Sequence, residues 1–224
     1  MKTIIVSGAS GNLGSAVAQY FIEKGNRVIG LVHYKKKGQS TENYQEIEVD
    51  LMDEAQTHEK VKALISTYKK IDAAILTAGG FKVGDLSHTK TEDLLFQYKL
   101  NFLTAYNVTH PLLSHFEDNK SGKVFFIGSE PGKDTSTGKG VVAYSLAKSQ
   151  LFQLANMINS TYKKEAIIAH VIVPSTIDTP QNRKAVPNAD FSKWEKPEDI
   201  AKIIADYTNG NKKSKPIIVV KEEL

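Results

Sequence analysis

The sequence predicts an α/β fold of three layers, a seven-stranded parallel sheet with helices on both faces. Three observations carry that expectation. Short apolar, β-branched runs alternate with amphipathic stretches almost throughout the chain. Several runs are apolar at consecutive positions, as in Ile4-Ile5-Val6 and Val124-Phe125-Phe126-Ile127, which suits strands covered on both sides. The 224 residues, 41% hydrophobic and 24% charged, fit one globular domain, residues 1–224, with a sizeable core.

Taken in order, a first strand over Thr3–Ser7 leads through a glycine-rich turn into a helix over Leu13–Lys24. A second strand over Arg27–Val32, a loop over 34–43 and a third strand over Gln45–Val49 follow, then a helix over Glu54–Tyr68. The fourth strand, Ala73–Thr77, precedes one long helix over Thr91–Phe116. The fifth strand, Lys123–Ile127, gives way to a loop over 129–141 that carries Gly132, Gly138 and Gly140. A helix over Val142–Lys163 and a sixth strand over Ala166–Val173 come next. The stretch Thr179–Lys196, with prolines at 180 and 187 and the lone Trp194, has neither period and reads as a long functional loop or lid. A helix over Pro197–Tyr207 and a strand over Pro216–Val220 complete the pattern.

Composition removes several function classes. With no cysteine, the chain has no disulfide framework, thiolate metal site or cysteine nucleophile, and a cytoplasmic setting is expected. The apolar run after Met1-Lys2-Thr3 is too short for a signal segment, and no 18-residue apolar stretch occurs, so neither export nor a membrane span is expected. The net charge of +4 comes almost entirely from lysine, with only Arg27 and Arg183 as arginines. Phosphate and base-edge forks favour arginine, so nucleic acid is not an expected partner. The histidines 88, 110, 115 and 170 show no ligand-like spacing with carboxylates, and no metal is expected.

The turn Ser7-Gly8-Ala9-Ser10-Gly11-Asn12-Leu13-Gly14 places glycine at every third position between strand and helix. A diphosphate needs backbone N–H groups at the positive end of a helix dipole, and side chains at those turn positions would block its approach. In this context the turn points to a dinucleotide-binding Rossmann fold. At the end of the second strand, where a carboxylate would hold both ribose hydroxyls, stands His33, followed by Tyr34 and Lys35-Lys36-Lys37. Positive charge without a carboxylate suits a 2′-phosphate, so NADP(H) is preferred, with NAD(H) possible. Asp50-Leu51 after the third strand suits an adenine amine, and Ala78-Gly79-Gly80 after the fourth offers a small-residue path for the cofactor.

The second constellation is Tyr144 and Lys148, at i and i+4 on one helix face. An ammonium near a phenol stabilises the phenolate and lowers its pKa toward the range useful for proton transfer. The spacing alone is weak, because nine tyrosines among so many lysines give about one chance match, and Tyr20 with Lys24 is a second. Context separates them: Tyr144 opens the helix before the sixth strand, and Ser129 follows the fifth strand at the sheet's carboxyl edge, where such folds bind ligands. Phe81, Phe191 and Trp194 are candidates either for packing or for stacking on a flat substrate.

These residues, in this order, resemble the short-chain dehydrogenase/reductase family. The resemblance covers essentially the whole chain: the glycine turn, Asp50, Ala78-Gly79, Asn101, Ser129, Tyr144, Lys148 and the Pro174–Thr179 segment with Thr176. It implies hydride transfer to a carbonyl or imine carbon of a small-molecule substrate. Tyr144 would donate the proton, Ser129 would orient the acceptor, and Lys148 would bind ribose and lower the phenol pKa. Asn101 would hold a relay water, and Thr179 would touch the nicotinamide. Three departures from the family pattern stand out: Asn12 where its second glycine lies, a 15-residue step from Ser129 to Tyr144, and Ser175 after Pro174 in place of glycine.

The string from Asp178 to Trp194, with Ala78-Gly79-Gly80-Phe81, looks like the quinonoid dihydropteridine reductase branch. That branch generally has a carboxylate at the place of His33 and lacks the serine found here as Ser129. A non-catalytic NADP(H)-sensing protein of the same fold and a Rossmann methyltransferase are the alternatives. Apolar residues on more than one face of the two longest helices suggest a homodimer or homotetramer.

Overall fold

The structure, a computed structural model, describes residues 1–35 and 40–224. Seven parallel strands form one sheet: β1 Thr3–Ser7, β2 Arg27–Val32, β3 Tyr44–Glu48, β4 Ala73–Leu76, β5 Ser121–Ile127, β6 Ala166–Val173 and β7 Ile217–Val219. Their spatial order is β3-β2-β1-β4-β5-β6-β7. The chain therefore builds outward in one direction, returns to β1 and builds the other way. Ser7 pairs with both Leu31 and Leu76, so the ends of β1, β2 and β4 meet at the point where the order reverses, which is where open parallel sheets bind ligands.

The sheet is covered on both sides because its central strands are apolar on both sides, and β1 and β4 are buried along their whole length. One face packs α2 (Glu54–Tyr68), α4 (Thr104–Asp118) and α6 (Val142–Thr161) through Val61, Leu112, Phe116, Leu151 and Ile158. The other packs α1 (Asn12–Glu23) and α8 (Pro197–Asn209) through Val17, Phe21, Ile200 and Ile204. Each helix places apolar residues three or four apart on the buried stripe.

Three expectations are corrected. The long helix expected over Thr91–Phe116 is α3 (Thr91–Tyr98), a π-helical turn over Lys99–Leu103, and α4. Its apolar period runs on through the break, but the wider turn carries the Asn101 side chain inward, where it donates to Gly80 O at 2.9 Å. The loop over 129–141 contains α5 (Glu130–Lys133), capped by Ser129, and a 3₁₀ turn over Thr135–Thr137. The lid over Thr179–Lys196 contains α7 (Pro180–Ala185), capped by Thr179, and a 3₁₀ turn over Phe191–Lys193. In both segments a hydroxyl residue is followed by proline within two residues. That pairing satisfies a first-turn N–H and presets φ, so short helices form in stretches too polar for a periodic signal.

Candidate active site

The turn between β1 and α1 is built around absent side chains. Gly8 has φ of +63°, and a Cβ there would lie 3.0 Å from the Ala78 backbone. A Cβ on Gly14 would lie 2.2 Å from Gly8 O. Gly11 caps α1 with its backbone alone: no side chain bonds the first-turn N–H groups, and the first turn holds no acid. Ser10, Gly11 and Asn12 are exposed, while Leu13 is buried beneath them. The result is an open helix N-terminus of positive potential with no internal anion, a cradle whose shape and donors fit a diphosphate. Asn12, in the place of the family's second glycine, is the first residue of α1 and leaves the cradle open.

Ser7 and Thr77 tie the cradle to the next strand. Thr77 Oγ1 donates to Ser7 O at 2.6 Å, and Ala78 N donates to Ser7 Oγ at 3.2 Å. Asn101 then fixes the Ala78-Gly79-Gly80 path. Its Oδ1 accepts from Gly80 N at 3.1 Å, and its Nδ2 donates to Gly80 O and to Gln97 Oε1, the latter at 3.0 Å.

His33 and Asp50 come together in a cleft of about 450 Å³ shared with Tyr34, Glu48, Gln56, Glu59 and Lys60. His33 and Tyr34 are exposed, with ring centroids 4.3 Å apart. Asp50 Oδ1 accepts from Met52 N at 3.0 Å, and Leu51 O accepts from Asn107 Nδ2 at 2.9 Å. The uniformly basic character expected here is corrected. Glu48, opposite Val32 in the register of β2 and β3, accepts from Lys35 N at 3.0 Å and puts a carboxylate on the rim. A polar residue at the end of an edge strand has no period to betray it, and only the strand pairing places it. Lys36 and Lys37 lie outside the described residues.

Ser129, Tyr144 and Lys148 converge beyond β5. Ser129 is buried and accepts from Gly132 N at 3.1 Å, and its side chain favours ionisation of the Tyr144 phenol. The long step between them is taken up by α5 and the 3₁₀ turn, which fold the additional residues aside and leave the Ser129 side chain within reach of the phenol. Lys148 is 6% exposed, and its Nζ donates to Ile127 O at 2.7 Å. That Nζ stands 5.8 Å from the Tyr144 ring centroid.

The electrostatics correct the expected acidic phenol. Burial pushes the Tyr144 pKa up, opposed only by the Ser129 side chain. Lys148 itself is lowered to about 8 by burial. The Lys148 ammonium is turned to the Ile127 carbonyl, and burial of the phenol itself sets the direction of the Tyr144 shift. The second tyrosine–lysine pair shows that spacing is not enough: Lys24 lies 5.4 Å from the Tyr20 ring centroid, but it is fully solvated.

After β6, Pro174 is buried, Thr176 is exposed, and Thr179 is buried with its Oγ1 accepting from Asn182 N at 3.1 Å. Asp178 and Arg183 form a two-pronged ion pair at 2.6 and 2.7 Å. Phe191 and Trp194 pack on each other at 4.8 Å, and Arg183 covers the Phe191 ring. They close the lid upon itself, whereas Phe81 is 65% exposed with its ring edge-on to Tyr144 at 5.1 Å.

Residues 2–190 match the family described as short chain dehydrogenase. The chain belongs to that family. Among similar proteins, "Dehydrogenase/reductase SDR family member 6" of Rattus norvegicus is 26% identical over 195 residues, 86% of this chain and 78% of that protein. The "2,3-dihydro-2,3-dihydroxybenzoate dehydrogenase" of Escherichia coli (strain K12) is 25% identical over 185 residues, 81% of this chain and 72% of that protein. Among solved structures, "ElxO with NADP Bound" superposes with a TM-score of 0.89 at 20% identity, covering 98% of this chain and 96% of that one. The ligand-free aldohexose dehydrogenase of Thermoplasma acidophilum gives a TM-score of 0.85 at 21% identity, covering 98% and 92%. The family is one of oxidoreductases, and the two curated relatives carry dehydrogenase names. No helix among the described residues is long and apolar enough to cross a membrane. Among those residues, no group of three or more metal-ligating side chains occurs.

The buried lysine makes a prediction for this short-chain dehydrogenase without ligand. Its folded-state pKa of about 8 lies below the ordinary 10.5, so between those values the unfolded chain holds more protons and stability rises with pH. The rise is at most about 3 kcal/mol. Lys148→Met flattens it, as urea denaturation at about pH 7.5 and about pH 10 will show.

Proposed function

We propose that the protein is an NADPH-dependent reductase, acting as a single nucleotide-binding domain, that passes a hydride to a carbonyl or quinonoid, pterin-like acceptor, with Tyr144 as the proton donor. The observation that carries this reading is the convergence of the Tyr144 phenol, the Ser129 hydroxyl and the buried Lys148 at the carboxyl edge of the sheet, beside an open helix N-terminus. The reduced nicotinamide, when bound, supplies the hydride.

The chain's own residues divide the remaining work. Gly8, Ser10, Gly11, Asn12, Leu13 and Gly14 form the diphosphate cradle, with Asp50 and Leu51 at the adenine end. Ala78, Gly79 and Gly80 give the cofactor a backbone to lie against, and Pro174, Thr176 and Thr179 border its nicotinamide side. Ser129 polarises the acceptor, and Tyr144 hands its phenolic proton to the acceptor atom. Lys148 holds ribose and, with a ligand displacing part of its bond to Ile127 O, stabilises the phenolate left behind. Asn101 retains acceptor capacity for a relay water. A high phenol pKa in the free protein keeps Tyr144 protonated and ready to donate.

NADPH is favoured over NADH because His33 at the end of β2 carries no negative charge to repel a 2′-phosphate, and because the similar ElxO structure is described with NADP bound. The exposed Phe81 beside the phenol favours a flat, conjugated acceptor, and the Asp178–Trp194 string favours a quinonoid dihydropterin within that class. A cysteine-free chain suits the cytoplasm.

The aromatic row Tyr98, Phe102, Tyr106 and His110 stacks at 5.2, 6.0 and 5.7 Å along α3 to α4. Leu95 on α3 and Leu146 on α6 are exposed beside it. That apolar face favours a homodimer or homotetramer.

Three outcomes test this reading. Tyr144→Phe lowers turnover roughly 10²–10⁴-fold while NADPH affinity by calorimetry is unchanged, and retained turnover refutes Tyr144 as the donor. His33→Asp moves the NADPH/NADH ratio of kcat/KM about tenfold or more toward NADH through like-charge repulsion. Light scattering at micromolar concentration returns a multiple of 24.7 kDa, and a mass equal to it refutes the oligomer.

A further inference from the structure

Glu195 takes no part in the chemistry above, yet it is 4% exposed at the foot of the lid, two residues before α8. Its backbone N–H donates to Thr176 O at 2.9 Å, and its carbonyl accepts from Asp178 N at 2.8 Å, a one-residue parallel bridge alongside Ile177. Its side chain reaches the same turn: Oε2 accepts from Ser175 N at 2.9 Å, and the Ser175 side chain favours the charged form of the carboxyl. The other oxygen, Oε1, is buried without a partner among the described residues.

A buried carboxyl with one oxygen unsatisfied is costly, and packing alone would be served better by an apolar residue. The charged groups that face it explain where it reaches. Glu130, the first residue of α5 and neighbour of Ser129, raises the cost of its charge, and Lys221, 3.9 Å from Glu130, lowers it. Glu195 thus touches the turn after β6 directly and the Ser129 segment through charge. Ser175 stands where the family pattern has glycine, and here its N–H bonds the carboxyl while its side chain favours the carboxyl's charged form. A glycine would leave only the N–H.

We propose that Glu195 is a positioning residue that acts through Ser175, clasping the Pro174–Thr179 turn and the foot of the lid in the arrangement that receives the nicotinamide end of the cofactor. The proposal rests on the reading above that this turn borders the nicotinamide.

The test compares Glu195→Ala, Glu195→Gln, Glu195→Met and Ser175→Ala in the full chain, by NADPH kinetics and by the rate of tryptic cleavage after the exposed Lys184 in α7. Glu195→Ala raises KM for NADPH about tenfold and lowers kcat less than about threefold, with cleavage about tenfold faster. Glu195→Gln, whose amide oxygen still accepts from Ser175 N, returns KM and cleavage to within about twofold of the parent, whereas Glu195→Met, which keeps the volume without an acceptor, behaves like Glu195→Ala, a split that a packing role does not predict. Ser175→Ala, which removes only the hydroxyl, shifts both readouts in the same direction by about threefold and keeps the proposal testable should Glu195→Ala fail to fold. Unchanged KM and cleavage in Glu195→Ala or Ser175→Ala overturn the clasp, as does Glu195→Gln behaving like Glu195→Ala or Glu195→Met behaving like the parent. If the parent protein turns over no acceptor with either cofactor, the reductase reading fails, while the cleavage rates still decide the clasp.

Discussion

The site is organised by one electrostatic constraint: an ammonium kept out of water. Lys148 sits almost wholly inside the protein with a single strong bond, to the carbonyl that ends β5. Burying a cation is expensive, so the surroundings must supply dipoles and exclude bulk. Two glycines show how tightly they do so. A Cβ on Gly132 would lie 2.6 Å from Lys148 Cβ, and one on Gly79 would lie 2.7 Å from Asn101 Oδ1 and 3.4 Å from Lys148 Nζ. Gly132 and Gly79 belong to different segments of the chain, and both leave room beside this one side chain.

The same constraint accounts for the phenol. In water an ammonium at this spacing would be screened to little effect, whereas in a dry site its field is stronger but the cost of burying either charge is larger too. Burial acts on both groups in the direction of neutrality, raising Tyr144 and lowering Lys148. A pair poised this way holds one proton on the phenol and holds the other loosely on the amine. Loss of the phenolic proton during reaction would place a negative charge beside that amine, which is when the two interact most strongly.

The architecture was legible in the sequence because it rests on period and glycine placement. Alternating runs gave seven strands, and the glycine turn gave the cradle; Gly8 and Gly14 proved to be the positions with no room for a side chain. Period was silent where a polar interaction overrides it. The π turn at Lys99–Leu103 leaves the apolar spacing of its helix intact, and the bond that accompanies it, from Asn101 to Gly80, joins residues 21 apart in sequence. Glu48 and Glu195 were missed for a related reason. Each is one carboxylate in a polar stretch, and it acquires a role only through a strand register or a turn that a distant segment supplies. The caps at Ser129 and Thr179 were readable in principle, since each precedes a proline, but glycine density and polarity argued for loops.

Departures from the family pattern come with local compensation. Asn12 replaces a glycine at a helix start, where it is exposed and lines the cleft between α1 and the lid. The long step from Ser129 to Tyr144 is taken up by α5 and a 3₁₀ turn, so Ser129 still acts on the phenol. Ser175 replaces a glycine and finds in Glu195 an acceptor for its N–H. In each case the neighbourhood absorbs the change before it reaches Tyr144 or Lys148. That is the behaviour expected when the costly element is a buried charge: segments around it are free to vary in length and residue type, provided the dry, dipole-lined space is kept.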